Sequence, residues 1–406
     1  MGEPVCRRWQ AQRWLIDNII RTVGMDFDQN RSGYLASPCG PDAAGDFQMI
    51  RQRIQKLADF APAFEAAARR REERARAAEE QGRVVAARES YFTAAIHWAA
   101  AQWPIDENNE TNRYYNQRKV ECYERYAHLA DHHVERVLIP FHDKALPAWL
   151  HLPPGYQGGR LPTVVAIPGM DSFKETSVSM YGDRWLTRGC AVLAVDGPGQ
   201  YESPVLGVYV TIQNWVDAAG IIFDWLAARP EVDTERVGLV GNSFGSLFGT
   251  IVAGAEPRYR ACAVTAVVHE PGCHTIFEEA SPTFKVRFMY MAGYEDEAEF
   301  DAFAKSLTWE GWAERVRCPY LCLAGEADEL SPLIYTERLF EALSVPKRLV
   351  IYQDARHSLG ASPSTMLGPS PRTLVADWLV ARLAGQSMES ERWYVESSGR
   401  VVRTPF

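Results

Sequence analysis

Long apolar runs are missing from this 406-residue chain: none approaches the roughly 18 residues that span a membrane. An excess of basic residues is also missing. Forty-three Lys and Arg stand against 52 Asp and Glu, a net charge of −9, so nucleic acid is excluded as the main partner, because phosphate binding requires a basic face. The stretch from Met1 to Trp14 is Arg-rich and has no apolar segment followed by a cleavage site. Gly2 is followed at position 6 by Cys6, where a myristoylation signal needs Ser or Thr. The expectation is a soluble, cytoplasmic protein. Eight cysteines are spread over positions 6, 39, 122, 190, 262, 273, 318 and 322 without a Cys-x-x-Cys and without histidines at zinc spacing. They read as reduced, inert thiols, with Cys273 as the exception to watch. Neither a metal nor an organic cofactor is implied. No motif recurs a third time at a fixed period, which excludes a repeat array.

What is present is ordinary globular composition, 47% hydrophobic and 23% charged, with two textures. Residues 1–131 read as helix. Trp9–Ile16 opens an amphipathic stretch, and Phe47–Ala68 carries Ile50, Ile54, Leu57, Phe60 and Phe64 at three- and four-residue spacing. A solvated helical stretch follows to Arg88, broken at Gly82. Arg83–Trp103 and Asn112–Leu129 then form a helical hairpin. Residues 132–406 alternate between short β-branched runs and helical segments, which predicts a mostly parallel sheet with helices on both faces. The strands fall at 134–140, 145–152, 162–167, 191–195, 236–240, 261–268, 320–324 and 348–352. Helices are expected at 174–188, 212–228, 244–255, 332–343 and 371–384. Residues 270–317 are too long for a simple crossover and read as a lid. The tail from Glu391 holds two extended runs around Ser397-Ser398-Gly399.

The most informative residues are Gly241-Asn242-Ser243-Phe244-Gly245, between a strand and a helix. A sharp strand-to-helix turn lifts the Ser hydroxyl above the sheet at a helix N-terminus, and glycines on both sides avoid clashes. Such a serine needs a base, and the base an orienting acid, in the chain order Ser, acid, His. His357, just past the last core strand, is the base. Asp328, just past the preceding strand, is the acid, with Glu326, Glu329 and Asp354 as its rivals. The oxyanion donors would be the amides of Phe244 and of Met170, in the loop after the third strand. His269 and Glu270 end the strand at 261–268 on the same carboxyl edge. They join Asp171 as candidates for substrate binding or an auxiliary role. Asp196-Gly197-Pro198-Gly199-Gln200 reads as a scaffold turn.

Together with the loop Gly169-Met170-Asp171-Ser172-Phe173-Lys174-Glu175, these motifs resemble the α/β-hydrolase fold. The helical stretch containing Tyr114–Tyr126 is similar to the branch that includes fermentation–respiration switch protein-like hydrolases, 2,6-dihydroxypseudooxynicotine hydrolase and fungal polyketide-shortening hydrolases. That resemblance implies hydrolysis of a C–C bond beside a ketone, with residues 1–131 as a cap domain over the hydrolase domain. It also implies an extra glutamate, for which Glu270 is the candidate. Residue spacing alone leaves esters, thioesters, lactones and activated C–C bonds equally open. A non-catalytic binding protein is the remote alternative. The expected partners are a small aromatic or polyketide-like substrate and a second copy of the chain in a homodimer. Aromatic residues of the cap (Trp98, Trp103, Tyr123) and of the lid (Phe277, Phe288, Tyr290) are candidates to line an apolar pocket.

Overall fold

The computed structural model describes residues 2–406. Six helices come first: α1 (Arg7–Val23), α2 (Arg31–Ala36), α3 (Ala44–Arg53), α4 (Phe60–Glu80), α5 (Val84–Gln102) and α6 (Glu110–Leu129). The break at Gly82 lies between α4 and α5, with Gly82 at φ 70°. The expected continuous helix over Phe47–Ala68 is instead two helices, α3 and α4. Pro62 lacks the N–H that a mid-helix position requires and is tolerated only in the first turn, where α4 places it. The Asp59 carboxylate accepts the Gln55 and Lys56 amides (3.0 and 3.1 Å), and Asp17 accepts that of Leu57 (2.9 Å), so local side chains take amides a helix would use.

A ten-stranded sheet follows: β1 (Val134–Phe141), β2 (Lys144–His151), β3 (Leu161–Ile167), β4 (Ala191–Val195), β5 (Val232–Ser243), β6 (Ala261–Val267), β7 (Tyr320–Gly325), β8 (Lys347–Tyr352), β9 (Glu391–Val395) and β10 (Val401–Pro405). Their order is β1-β2-β4-β3-β5-β6-β7-β8-β9-β10. From β4 across to β9 neighbouring strands run parallel, while β1, β2 and β10 are antiparallel. The tail thus extends the sheet by two strands beyond β8. The connecting helices are α7 (Glu202–Val205), α8 (Ile212–Ala227), α9 (Phe244–Ala255), α10 (Pro282–Ala292), α11 (Glu297–Ala304), α12 (Leu333–Ala342), α13 (Pro363–Leu367) and α14 (Pro371–Leu383).

The helix expected at 174–188 is not formed; only short turns occur, at Lys174–Thr176 and Leu186–Arg188. Asp196 takes the Lys174 amide (2.8 Å). The Asp183 carboxylate takes those of Ser179, Trp185 and Leu186, so the backbone is bound by side chains in place of helical carbonyls.

Side chains alternate along the strands between two apolar clusters. Val164, Val192, Leu321 and Val350 pack with Trp378 and Leu379 of α14. Val165, Leu193, Leu239 and Leu349 pack with α8 and α9, and that core continues without a break into Phe60, Phe92, Trp98 and Tyr123 of the helical region. The eight cysteines are all free and buried, Cys273 included, and burial pushes the Cys273 thiol up. No helix of the described residues is long and apolar enough to cross a membrane.

Candidate active site

Ser243 ends β5 and precedes α9 with φ 56° and ψ −126°, a conformation that L residues adopt only when the surroundings impose it. Both flanking glycines are required by space. A Cβ on Gly241 would lie 2.0 Å from the Gly245 carbonyl oxygen, and one on Gly245 would lie 2.3 Å from that of Ile167. The turn therefore presses against the end of β3 and projects the hydroxyl at the N-terminus of α9.

The structure brings Ser243, His357 and Asp328 together from three strand ends. Ser243 Oγ lies 3.0 Å from His357 Nε2, and His357 Nδ1 lies 3.1 and 3.0 Å from the two Asp328 carboxylate oxygens. Both bonds are satisfied when Nδ1–H donates to Asp328 and Nε2 accepts the serine proton. Asp328 is itself held by the amides of Leu330 (2.9 Å) and Ser331 (3.1 Å). Burial disfavours the His357 imidazolium, but the adjacent Asp328 carboxylate outweighs it and holds the pKa above the usual histidine value. The rival acids lie elsewhere. Glu329 accepts the His357 backbone amide (3.1 Å), and Glu326 accepts the Asp354 amide (3.2 Å) and the Tyr394 hydroxyl (2.9 Å).

The loop after β3 lies against Ser243: a Cβ on Gly169 would fall 2.8 Å from Ser243 Cβ. Its polar groups are tied down. Gly169 donates its amide to Ser172 Oγ (2.8 Å), Gln200 donates to the Pro168 carbonyl, and the Tyr201 hydroxyl donates to the Asp171 carbonyl (3.3 Å). Among the hydrogen bonds of the described residues, none uses the Met170 N–H. Asp171 turns its carboxylate toward the helical region, where Trp103 Nε1 donates to it (2.5 Å) and Gln29 donates to its other oxygen. Gln29 belongs to a stretch without periodic signal, so sequence reasoning missed it.

Two expected auxiliary residues make their contacts elsewhere. Glu270 accepts the Thr275 amide (2.7 Å) and so caps the turn that follows. His269 is fully buried, with Nδ1 3.0 Å from Thr336 Oγ1, its amide on Ser331 and its carbonyl on Trp309; burial lowers its pKa to about 3. Of the aromatic candidates, Trp98, Tyr123, Phe277, Phe288 and Tyr290 are core residues. Trp103 lines a cleft of about 190 Å³, together with Trp9, Ile105, Asp106, Thr283 and Arg287. Trp103 is thus shared between that cleft and the bond to Asp171.

The model of the FrsA-like esterases matches residues 63–340, more than half of the chain. The chain belongs to the FrsA-like esterase family. The match takes in most of α4, all of α5 and α6, and Ser243 and Asp328. Among curated relatives of this FrsA-like chain, the 2,6-dihydropseudooxynicotine hydrolase of Paenarthrobacter nicotinovorans is 27% identical over 307 residues, covering 73% of this chain and 77% of the relative. The α/β hydrolase ucsC of Acremonium sp. is 29% identical over 289 residues, 65% of this chain. The chain spans 56% and 58% of the lengths of ucsC and the related xenA. The crystal structure of the 2,6-dihydroxy-pseudo-oxynicotine hydrolase superposes with a TM-score of 0.75 at 24% identity, covering 88% of this chain and 98% of the other. These matches establish the α/β-hydrolase fold.

Proposed function

We propose that this protein is a serine hydrolase that cleaves a C–C bond beside a ketone in a small organic molecule, through an acyl-enzyme. One observation carries the serine-hydrolase reading: His357 bridges Ser243 at 3.0 Å and Asp328 at 3.0 Å, with the serine in strained backbone geometry at a helix N-terminus. The choice of a C–C bond rests on the resemblance to the 2,6-dihydropseudooxynicotine hydrolase. Ser243 Oγ attacks the substrate carbonyl while His357 Nε2 takes its proton, and Asp328 holds the resulting imidazolium. The amides of Met170 and Phe244 stabilise the oxyanion. His357 then returns the proton to the departing carbon, and water releases the carboxylic acid from the acyl-enzyme. Met170 and Phe244 are buried while Ser243 is only half-buried, which leaves the hydroxyl reachable beside sheltered donors. Residues 1–131 act as the cap and 270–317 as the lid. Trp103 and Gln29 on Asp171 support that division of labour, as does Arg8, which donates to the Phe277 and Ala280 carbonyls (both 2.6 Å).

A second reading keeps this machinery for an ester, thioester or lactone. The capping bond of Glu270 to Thr275 favours it, because the glutamate that C–C cleavage would recruit is already engaged. Covalent labelling by a fluorophosphonate tests the nucleophile, with loss of labelling expected in Ser243→Ala. Turnover of a β-diketone against p-nitrophenyl acetate decides between the two bonds. Ester cleavage with no diketone cleavage would establish the second reading.

A further inference from the structure

Tyr201 is one of few non-glycine residues with positive φ, at φ 30° and ψ −83°, and it is almost wholly buried. An aromatic residue in this region is an outlier that its surroundings must impose. Both neighbours do so. Gln200 is spent bridging the Gly197 amide (2.8 Å) and the Pro168 carbonyl. Glu202 is ion-paired to Lys174 (2.5 Å) and Arg136 (3.1 Å). Residues 200 and 202 thus tie into the loop after β3 at Pro168 and Lys174, and the buried Tyr201 side chain packs against the same loop at Phe173.

The surroundings of its ring are unusual for a core aromatic. Phe173 packs on it at 4.7 Å between centroids, while Lys119 of α6 and Arg287 of α10 approach it at 5.5 and 5.0 Å. Lys119 Nζ is buried and makes no hydrogen bond; the Glu175 carboxylate attracts its charge, and the Tyr201 ring offers it a face. The hydroxyl makes its bond to the Asp171 carbonyl, one residue beyond Met170. The helical region, the 270–317 insertion and the loop beside Ser243 therefore meet on one side chain.

We propose that Tyr201 is a positioning residue for the Met170 N–H. This rests on the reading of Ser243 as nucleophile and Met170 as oxyanion donor. Gln200 fixes the carbonyl two residues before Met170, and Tyr201 fixes the one after it, so the free amide between them has a set direction. The cations on the ring extend this control to the helices. With α6 and α10 in place over the site, Tyr201 is clamped and the donor is aimed; without them it is loose. Misaiming one donor weakens binding of the tetrahedral oxyanion more than binding of the ground state.

The test uses the full-length protein with Tyr201→Phe, which removes the hydroxyl and keeps the ring, and Lys119→Met, which removes the cation on α6. Four quantities are compared: kcat and KM on p-nitrophenyl butyrate, affinity for a trifluoromethyl ketone that forms a tetrahedral adduct, fluorophosphonate labelling rate, and Tm. Tyr201→Phe is expected to lower kcat, ketone affinity and labelling rate together by about tenfold, a fraction of what losing an oxyanion donor costs, with KM and Tm little changed. Lys119→Met should shift the same three quantities in the same direction, even if its Tm also falls. A labelled wild type with Tyr201→Phe unchanged in kcat and ketone affinity would overturn this inference alone. So would losses that follow Tm and vanish on cooling. A wild type that takes no label overturns the nucleophile reading, and this inference with it.

Discussion

Trp103, the residue just beyond the end of α5, donates its indole N–H to the carboxylate of Asp171 at 2.5 Å, across 68 positions of sequence. The helical region thus touches the segment that lies against Ser243, one residue from Met170. Trp103→Phe keeps an aromatic ring, smaller than the indole, and removes this bond. It is expected to lower kcat by up to about a hundredfold, since small misplacements at a reacting centre have costs of that order. Deletion of residues 1–131 removes Trp103, Gln29 and Lys119 together and bares the apolar core shared with the sheet. The truncated protein should be poorly soluble and lose C–C cleavage more than ester cleavage; steady-state rates on both substrates check this.

The strained turn at Ser243 separates stability from activity. Ser243→Gly relieves a φ of 56° and should stabilise the fold by about 1 kcal/mol, read as a higher Tm. The same variant, like Ser243→Ala, should lose activity by roughly a thousandfold or more. His357→Ala should cost about as much, and the double variant no more, because the residues act as one unit.

The pH profile follows from the raised pKa of His357. As the proposed base, His357 is active when neutral, so activity is expected to rise with pH through that pKa, with the acid limb of kcat/KM at a midpoint above 6.5. Asp328→Asn removes the charge that raises the pKa. Whatever activity survives should show its acid limb at lower pH, as measured by kcat/KM between pH 5 and 9.

Glu270 holds a turn, so its replacement is a stability experiment. Glu270→Gln should lower stability by about 1 kcal/mol or less, since the amide oxygen still accepts the Thr275 N–H. Ester turnover should stay within about threefold, under ~1 kcal/mol of transition-state energy. Loss of diketone cleavage alone, with ester turnover kept, would give Glu270 a chemical role.

The sequence by itself determined the sheet and the strained turn at Ser243, because both are written in local pattern. Alternating β-branched runs and helical periods set the strands from β1 to β8. The two glycines around Ser243 mark a turn no other residues fit. Chain order and strand ends pointed to Asp328 and His357, which lie within hydrogen-bond distance of each other, with His357 also reaching Ser243. Tertiary structure decided what local pattern does not encode. The stretches at 47–68 and 174–188 carry helical periodicity, yet Pro62, Asp59, Asp17, Asp183 and Asp196 take or remove the amides a helix needs, Asp17 and Asp196 from a distance. Glu270 and His269 lie on the carboxyl edge as read, but Thr275 and Thr336 engage them. Gln29, Trp103 and Tyr201 meet the loop after β3 only because chain segments far apart in sequence pack together, and a hydrogen bond between residues 29 and 171 leaves no periodic trace in either segment.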